Sequence, residues 1–341
     1  MRGCVIHGAD DLRVEDLPEP VAGPGQAVVA VRYGGVCGSD LHYWRHGGVG
    51  DFLLHEPMVL GHEVVGTVVS YGRGADGPAP GTAVAVHPAT PCGACPECLD
   101  GRANVCRDTR YLGSAARTPH VQGGFAARIA VPADQLRALP EGLGLRRAAL
   151  AEPLSVALHA VRRAGPVEGK HVLVTGAGPI GALVVAALRA AGAAAVTVTD
   201  LLPRALEFAA SAGATTLVRA DEPADPGRPD EVDTAIEASG AAAGLDTCLR
   251  LVRRGGTVVQ LGMLPPGMSP FAGNLVVSRE IELRGALRFD AEFDEAIELL
   301  AREASFDALV SAVVPVERAV EAFALAADRS QSCKVLLDFG G

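Results

Sequence analysis

Cys92, Cys95, Cys98 and Cys106 stand at C-x2-C-x2-C-x7-C spacing. Four thiolates so spaced can converge tetrahedrally on one Zn²⁺, and a site filled by four protein ligands keeps no position for chemistry. A disulfide cluster is the competing use of the same residues. No apolar leader for export is seen, and cytosolic thiols stay reduced, so a structural zinc and a cytoplasmic location are expected. A second set of donors is scattered. Cys37, Ser39 and His42 fall in one six-residue box, His62 and Glu63 in a Gly-His-Glu box, and Glu152 in Ala-Glu-Pro. One Cys, one His and one or two Glu can hold Zn²⁺ while leaving a position for a substrate oxygen, the pattern of a catalytic zinc. Singly, each residue reads as a buried thiol, a core imidazole or a solvated carboxylate. The combination is what points to chemistry.

A third feature concerns a nucleotide. Val172–Thr175 runs directly into Gly176-Ala177-Gly178-Pro179-Ile180-Gly181 and then an Ala/Leu-rich stretch. A G-x-G-x-x-G run is weak evidence alone, but here a strand precedes it and a helix follows. Gly176 permits the tight turn, Gly178 lets backbone approach a pyrophosphate, and Gly181 allows close helix–strand packing. The helix N-terminus stabilises the phosphate charge. Asp200 ends the second strand at the distance where a carboxylate accepts both ribose hydroxyls, which favours NAD over NADP, with Arg204 as the residue that could admit a 2′-phosphate.

The elements that must position these groups fall into three stretches. Up to about Pro140, short β-runs such as Gln26–Arg32, Glu63–Ser70 and Thr82–His87 alternate with Gly/Pro clusters, the pattern of a mostly β domain. From Glu152, strands are expected at His171–Thr175, Ala195–Asp200, Thr215–Val218, Val232–Ala238, Thr257–Leu261 and Glu280–Arg284. Helical Ala/Leu stretches lie between them, as in a doubly wound parallel six-stranded sheet of α/β type. Beyond Arg288 come an amphipathic helix, Glu292–Arg302, a run Val313–Arg318, a second helix and a closing strand, Lys334–Asp338. Six strands already complete the sheet, so this tail is expected to return to the first domain. The expected division is 1–153 with 288–341, carrying the cysteine lobe at about 91–107, and 154–287.

Composition excludes several partners. The 341 residues suffice for about two domains. A formal charge of −10 without a basic block argues against nucleic acid. The apolar runs are cut by Gly, Pro or charge before spanning length, which argues against a membrane. With 41 glycines and only 4% aromatics, tight strand–turn–helix architecture fits better than aromatic-lined carbohydrate grooves.

In order and over nearly the whole length, the C-G-S-D-x-H box, the G-H-E box, the four-cysteine lobe and the glycine-rich turn resemble zinc-dependent medium-chain alcohol dehydrogenases. Glu152 stands where simple-alcohol members have a cysteine ligand, which is similar to the polyol (sorbitol-type) branch. The stretches Cys37–Gly50, Pro57–Glu63, Leu112–Phe125 and Gly285–Phe289 look closest to its L-idonate 5-dehydrogenase group. The resemblance implies a GroES-like catalytic domain closed by the C-terminal tail, a Rossmann domain, two Zn²⁺ per chain, and hydride transfer between a secondary alcohol and NAD, with NADP possible. It implies Cys37 and His62 as ligands, and leaves open how Glu63 and Glu152 divide direct ligation from holding zinc-bound water. Ser39 would accept the alcohol proton and pass it through the cofactor ribose to His42, while Asp40 orients His62. Tyr43, Tyr111, Arg288 and Phe289 would line the substrate pocket; Ser239–Gly240 and Leu261-Gly262-Met263 would flank the nicotinamide.

L-Idonate, unlike sorbitol or xylitol, carries a carboxylate and needs a cationic partner in the cleft. Arg45, Arg117, His120 and above all Arg288 are the available residues. The substrate is thus expected to be a small sugar acid or polyol. A homodimer or homotetramer is expected through the edge Val276–Leu287. An enoyl or quinone reductase on the same fold would lack the zinc ligands, and a non-enzymatic relative would carry a broken metal or nucleotide site.

Overall fold

The computed structural model describes residues 1–222 and 229–340. The chain divides into two compact units. One comprises Met1–Glu152, Phe293–Asp328 and the chain from Lys334 on; the other comprises Pro153–Glu292 and Arg329–Cys333. The boundary in the tail therefore differs from a clean break at residue 288. Glu292 stays with the second unit because its buried carboxylate accepts the Asp290 N–H at 2.7 Å and meets His159 Nδ1 at 3.0 Å.

The first unit is organised by the long strand Gln26–Gly35, whose Ala27, Val28, Val29 and Val31 are buried. It pairs antiparallel with Glu63–Tyr71, with Arg128–Pro132 and with Lys334–Asp338. The sheet runs Leu136–Ala138, Ala83–Val86, Glu63–Tyr71, Gln26–Gly35, Lys334–Asp338, Val310–Pro315, so the tail does close the first unit. The expected run Val313–Arg318 is in fact the end of strand Val310–Pro315 followed by a tight turn, Val316–Arg318. Strand pairing places Gly35 opposite both Glu63 and Leu336. A Cβ on Gly35 would lie 2.1 Å from Glu63 Oε2, so a missing side chain opens the space that this carboxylate fills. Beneath, Phe125, Phe323 and Trp44 pack edge to face, with ring centroids 6.3 and 5.8 Å apart. Each fully buried Phe contributes roughly 1.5–3 kcal/mol. Phe125 also presses on Gly61, which stands at φ 95° with no room for a Cβ, and so sets the loop that delivers His62.

The second unit is a parallel sheet in the order Thr216–Arg219, Ala195–Asp200, His171–Thr175, Val232–Glu237, Val252–Gln260, Glu282–Gly285. Val172, Leu173 and Val174 are all buried, as in strands covered on both faces. Several bounds shift by one residue, and two differ by more. The fifth strand begins at Val252 rather than Thr257, since Gly255 at φ 64° lets the chain bend without leaving the sheet. The edge strand begins at Glu282 rather than Glu280, because Glu280 and Ile281 still close the preceding helical turn onto Val277 and Val276. Among the described residues no helix is long and apolar enough to cross a membrane.

Candidate active site and metal centres

Cys37 precedes helix Gly38–His46 in extended conformation, where a short first turn brings Asp40 back beneath it. The Asp40 carboxylate accepts the Cys37 N–H at 2.9 Å and the Gly61 N–H at 3.2 Å. One buried side chain thus ties the thiol's helix to the loop of His62, whose Nδ1 lies 4.0 Å from Asp40 Oδ1. Burial pushes the Asp40 carboxyl up, against the pull of His62 and the Cys37 N–H. His62 is buried too. Burial disfavours its charged form, yet Cys37 first, then Asp40 and Glu152, hold the imidazole well above its ordinary range. The same anionic field would favour a divalent cation.

Glu63 begins its strand fully buried and meets a partner that sequence reasoning missed. Lys334 Nζ donates to both Glu63 oxygens at 2.8 Å and to the Val36 carbonyl at 3.1 Å. Burial works against the ammonium, but Glu63, then Cys37, raise its pKa. The signal was a lysine within the apolar run Cys333-Lys334-Val335-Leu336, since a buried lysine needs a partner. Glu152, near the start of helix Ala151–Ala164, is buried and accepts the Tyr111 hydroxyl at 2.6 Å. Burial pushes the Glu152 carboxyl up; the opposing His62 and Tyr111 do not offset it. The ligand atoms of Cys37, His62 and Glu63 lie within 4.8 Å of one another, and Glu152 falls outside that group. One sulfur, one nitrogen and one oxygen donor at this separation fit Zn²⁺ with a position to spare. Ser39 is half-buried and His42 exposed. Partial desolvation of its ring, then the neighbouring His46, hold the His42 imidazole below its ordinary range.

The other residues named from the sequence are placed less simply. Tyr43 is buried, its hydroxyl accepting the Ala115 N–H at 2.9 Å, and Phe289 is buried as well. Arg45 lies over the Trp44 ring at 3.9 Å, and Arg117 pairs with Asp108 and donates to the Thr109 carbonyl. His120 is buried with both ring nitrogens engaged, by the His55 N–H and the Arg117 carbonyl. Arg288 stands at φ 52°, half-buried, just after the edge strand.

The four-cysteine lobe is built differently. Its helix Pro96–Leu99 and turn Ala103–Val105 bury no residue of their own. Cys106 Sγ lies 3.8 Å from Cys95 Sγ and 3.5 Å from Cys92 Sγ. Four sulfurs about 2.3 Å from one tetrahedral zinc stand about 3.8 Å apart. Backbone N–H groups of Cys92 and Asp108 donate to Cys106 Sγ, and those of Ala94 and Cys95 to Cys92 Sγ. Desolvation raises the Cys106 thiol, but those N–H groups outweigh it and bring it to about 6. Cys98 is pushed up to about 12, by desolvation and then by the neighbouring thiols. Crowded thiolates that cannot all ionise are what a bound dication relieves.

In the second unit, Gly176 turns at φ 90° with Ser239 2.6 Å from where its Cβ would be, and a Cβ on Gly181 would strike the Gly176 carbonyl at 1.9 Å. Gly178 caps helix Pro179–Ala190, with Pro179 and Ile180 in its first turn. Asp200 is buried and occupied: Oδ2 accepts the Ala177 N–H and Arg329 Nη2, each at 2.7 Å, and Oδ1 accepts the Leu202 N–H at 3.0 Å. Arg204 pairs with Glu207 at 2.5 Å and lies over the Phe208 ring. The segments Ser239–Gly240 and Leu261–Met263 meet at Glu237, whose carbonyl accepts the Leu261 and Gly262 N–H groups at 2.9 Å and whose buried carboxylate sequence reasoning missed. The carboxylate accepts the N–H groups of Ser239 and Gly240, at 2.7 and 3.0 Å, and Gln260 Nε2 at 2.6 Å.

A β unit bearing an open mixed-donor site and a closed four-thiol lobe, joined in one chain to a parallel sheet with a glycine-rich turn, defines the zinc-dependent medium-chain dehydrogenases. Residues 23–141 match the alcohol dehydrogenase GroES-like domain and residues 179–302 the zinc-binding dehydrogenase domain, and the chain belongs to this family of oxidoreductases. It is 38% identical to L-idonate 5-dehydrogenase (NAD(P)(+)) of Escherichia coli strain K12 across 99% of this chain and 98% of that one. Sorbitol dehydrogenase of Gallus gallus is 36% identical, over 98% of this chain and 95% of its own length. The crystal structure of L-idonate 5-dehydrogenase from Escherichia coli superposes with a TM-score of 0.92 at 36% identity, covering 99% and 97% of the two chains.

Proposed function

We propose that the chain is an L-idonate 5-dehydrogenase, oxidising the C5 hydroxyl of L-idonate to give 5-ketogluconate. The observation that carries a dehydrogenase reading is the gathering within 4.8 Å of a half-buried Cys37 with the buried His62 and Glu63. The sugar acid is supported by the full-length likeness to the Escherichia coli enzyme. In this reading Cys37, His62 and Glu63 hold the catalytic zinc. Lys334 fixes Glu63, Asp40 steadies the His62 loop, and Glu152 with Tyr111 flanks the exchangeable position. Bound zinc lowers the pKa of a substrate hydroxyl from about 16 toward about 7. Ser39 Oγ would take up the hydroxyl proton and pass it through the cofactor ribose to His42 and solvent. Bound dinucleotide is the hydride acceptor. Asp200 receives its ribose, the turn Gly176–Gly181 its phosphates, and Ser239 with Leu261–Met263 its nicotinamide. NAD is the preferred form, because Asp200 repels a 2′-phosphate and Arg204 is already paired to Glu207.

A polyol reading, with sorbitol or xylitol as substrate, is favoured by one observation: Arg45, Arg117 and His120 already have partners, the Trp44 ring, Asp108, and the His55 N–H with the Arg117 carbonyl. Arg288 remains the residue proposed for the idonate carboxylate. NADH formation at 340 nm from L-idonate, sorbitol and xylitol separates the two readings. Preference for L-idonate supports the first, and much faster oxidation of sorbitol or xylitol overturns it. Arg288→Ala should raise the KM for L-idonate about 10-fold or more, from a lost charge-assisted bond, and that for sorbitol less. The enzyme is further proposed to be cytoplasmic, with all eight cysteines free. It is proposed to pair through the edge Val276–Leu287, which holds the strand Glu282–Gly285 and the exposed Val277 and Leu287; a monomer mass by light scattering would refute that pairing.

A further inference from the structure

Arg329 begins the short stretch Arg329–Cys333 that belongs to the second unit while the chain on both sides of it belongs to the first. Its Nη2 donates to Asp200 Oδ2 at 2.7 Å, and that oxygen already accepts the Ala177 N–H at the same distance. The guanidinium also reaches the glycine-rich turn: a Cβ added to Gly178 would meet Nε and Nη2 at 3.6 Å. The Nε is shielded from solvent and has no hydrogen-bond partner among the described residues. A shielded donor on a charged group without an acceptor is costly, and the cost is recovered only when an acceptor arrives. The turn itself is short of donors, because Pro179 at the first helical position has no N–H.

We propose that Arg329 is the cation that takes the pyrophosphate of the dinucleotide, and that in doing so it releases Asp200 to the ribose. The inference rests on the reading of the second unit as a dinucleotide site and adds to it an exchange of partners. In the free protein, Arg329 neutralises the buried Asp200. A ribose hydroxyl can gain Oδ2 only by replacing one of its two donors, and the Ala177 N–H is fixed by the turn. The displaced guanidinium then finds phosphate oxygens beside Gly178, where its planar fork can bind two at once and engage the idle Nε. Arg204 has partners of its own, pairing with Glu207 and lying over the Phe208 ring.

Calorimetric titration of the full-length, zinc-loaded protein with adenosine, ADP-ribose, NAD⁺ and NADP⁺ tests this. Arg329→Ala should weaken ADP-ribose, NAD⁺ and NADP⁺ alike by about tenfold or more, the worth of a charge-assisted bond, and leave adenosine unchanged or slightly tighter. Arg329→Lys should recover part of the loss. Arg329→Gln reads the same effect if the alanine variant does not fold. Weakening of NADP⁺ alone would make Arg329 a 2′-phosphate residue and overturn the proposal. Equal weakening of adenosine would reduce it to a structural role, tightening of every ligand would reduce it to a cover over Asp200, and no change at all would also overturn it. A wild-type protein that binds no ADP-ribose would instead refute the dinucleotide site itself.

Discussion

The two donor clusters of the first unit solve opposite problems. The lobe at Cys92–Cys106 is local in sequence, largely exposed and without a core of its own, so its fold is expected to rest on the four thiols. The pocket of Cys37, His62, Glu63 and Glu152 draws on distant segments, and each of its groups is buried or half-buried. Its side chains are held by partners that are not ligands: Asp40 beneath Cys37 and the His62 loop, Lys334 on Glu63, Tyr111 on Glu152. A closed site is made by its ligands. An open one must be made by everything around them, because a vacant position gives no structural support.

If that contrast is right, removing one ligand from each cluster has opposite consequences. His62→Ala should cut turnover by about a thousandfold or more, since metal activation supplies several kcal/mol, while the melting temperature changes little. Cys95→Ser should lower zinc content by about one per chain, lower the melting temperature and expose residues 91–107 to protease, because ligation there is coupled to folding. A melting temperature unchanged in Cys95→Ser, measured by calorimetry, would break the comparison on the lobe's side.

The supporting groups sharpen it. Lys334→Met leaves the Glu63 carboxylate buried without its counter-charge and should cost about 3–5 kcal/mol in urea unfolding of the zinc-free protein. The loss should shrink when zinc is present, because the metal then faces the same carboxylate. An equal loss with and without zinc would mean that Glu63 does not face the metal. Asp40→Asn keeps the shape but weakens the hold on Cys37 and the His62 loop, and should lower zinc affinity at the open site about 10- to 100-fold without touching the lobe. Competition with a chromophoric chelator reads both sites in one titration.

The contrast also explains what could be read in advance. The lobe was legible because its spacing is its geometry, and the glycine-rich turn because strand, turn and helix are contiguous. The open pocket was legible only as boxes whose convergence the resemblance supplied. Lys334 and Glu237 escaped notice because an ion pair or a backbone clamp between segments far apart in sequence leaves no periodic trace. The occupied state of Asp200 escaped for the same reason, since Arg329 reaches it across 129 positions. Strand bounds slipped at Glu280, where a left-handed residue at φ 50° closes the preceding helix, and at Val252, where the strand continues through Gly255-Gly256.

The smallest effect serves as a reference outside both clusters. Burial would raise the Glu292 carboxyl, but His159 and the Asp290 N–H hold it below its ordinary value. A carboxyl so lowered stabilises the fold fully above the unfolded value of about 4.3, and that contribution is lost as pH falls through the folded value. Glu292→Gln should therefore be less stable at neutral pH and show a flatter loss of stability between about pH 5 and pH 3. Parallel curves for the two proteins in urea melts would remove the pair from the acid response.

Zinc K-edge absorption on the fully loaded enzyme tests the central claim most directly. One closed and one open zinc give an average of about 2.5 sulfur neighbours per metal, at about 2.3 Å, with nitrogen and oxygen at about 2.0–2.2 Å making up the rest. His62→Ala should leave a nearly pure four-sulfur spectrum, and Cys95→Ser a spectrum dominated by nitrogen and oxygen with one sulfur. A wild-type spectrum of four sulfurs alone, unchanged in His62→Ala, would mean that Cys37, His62 and Glu63 hold no metal, and the zinc-dependent mechanism would fall with them.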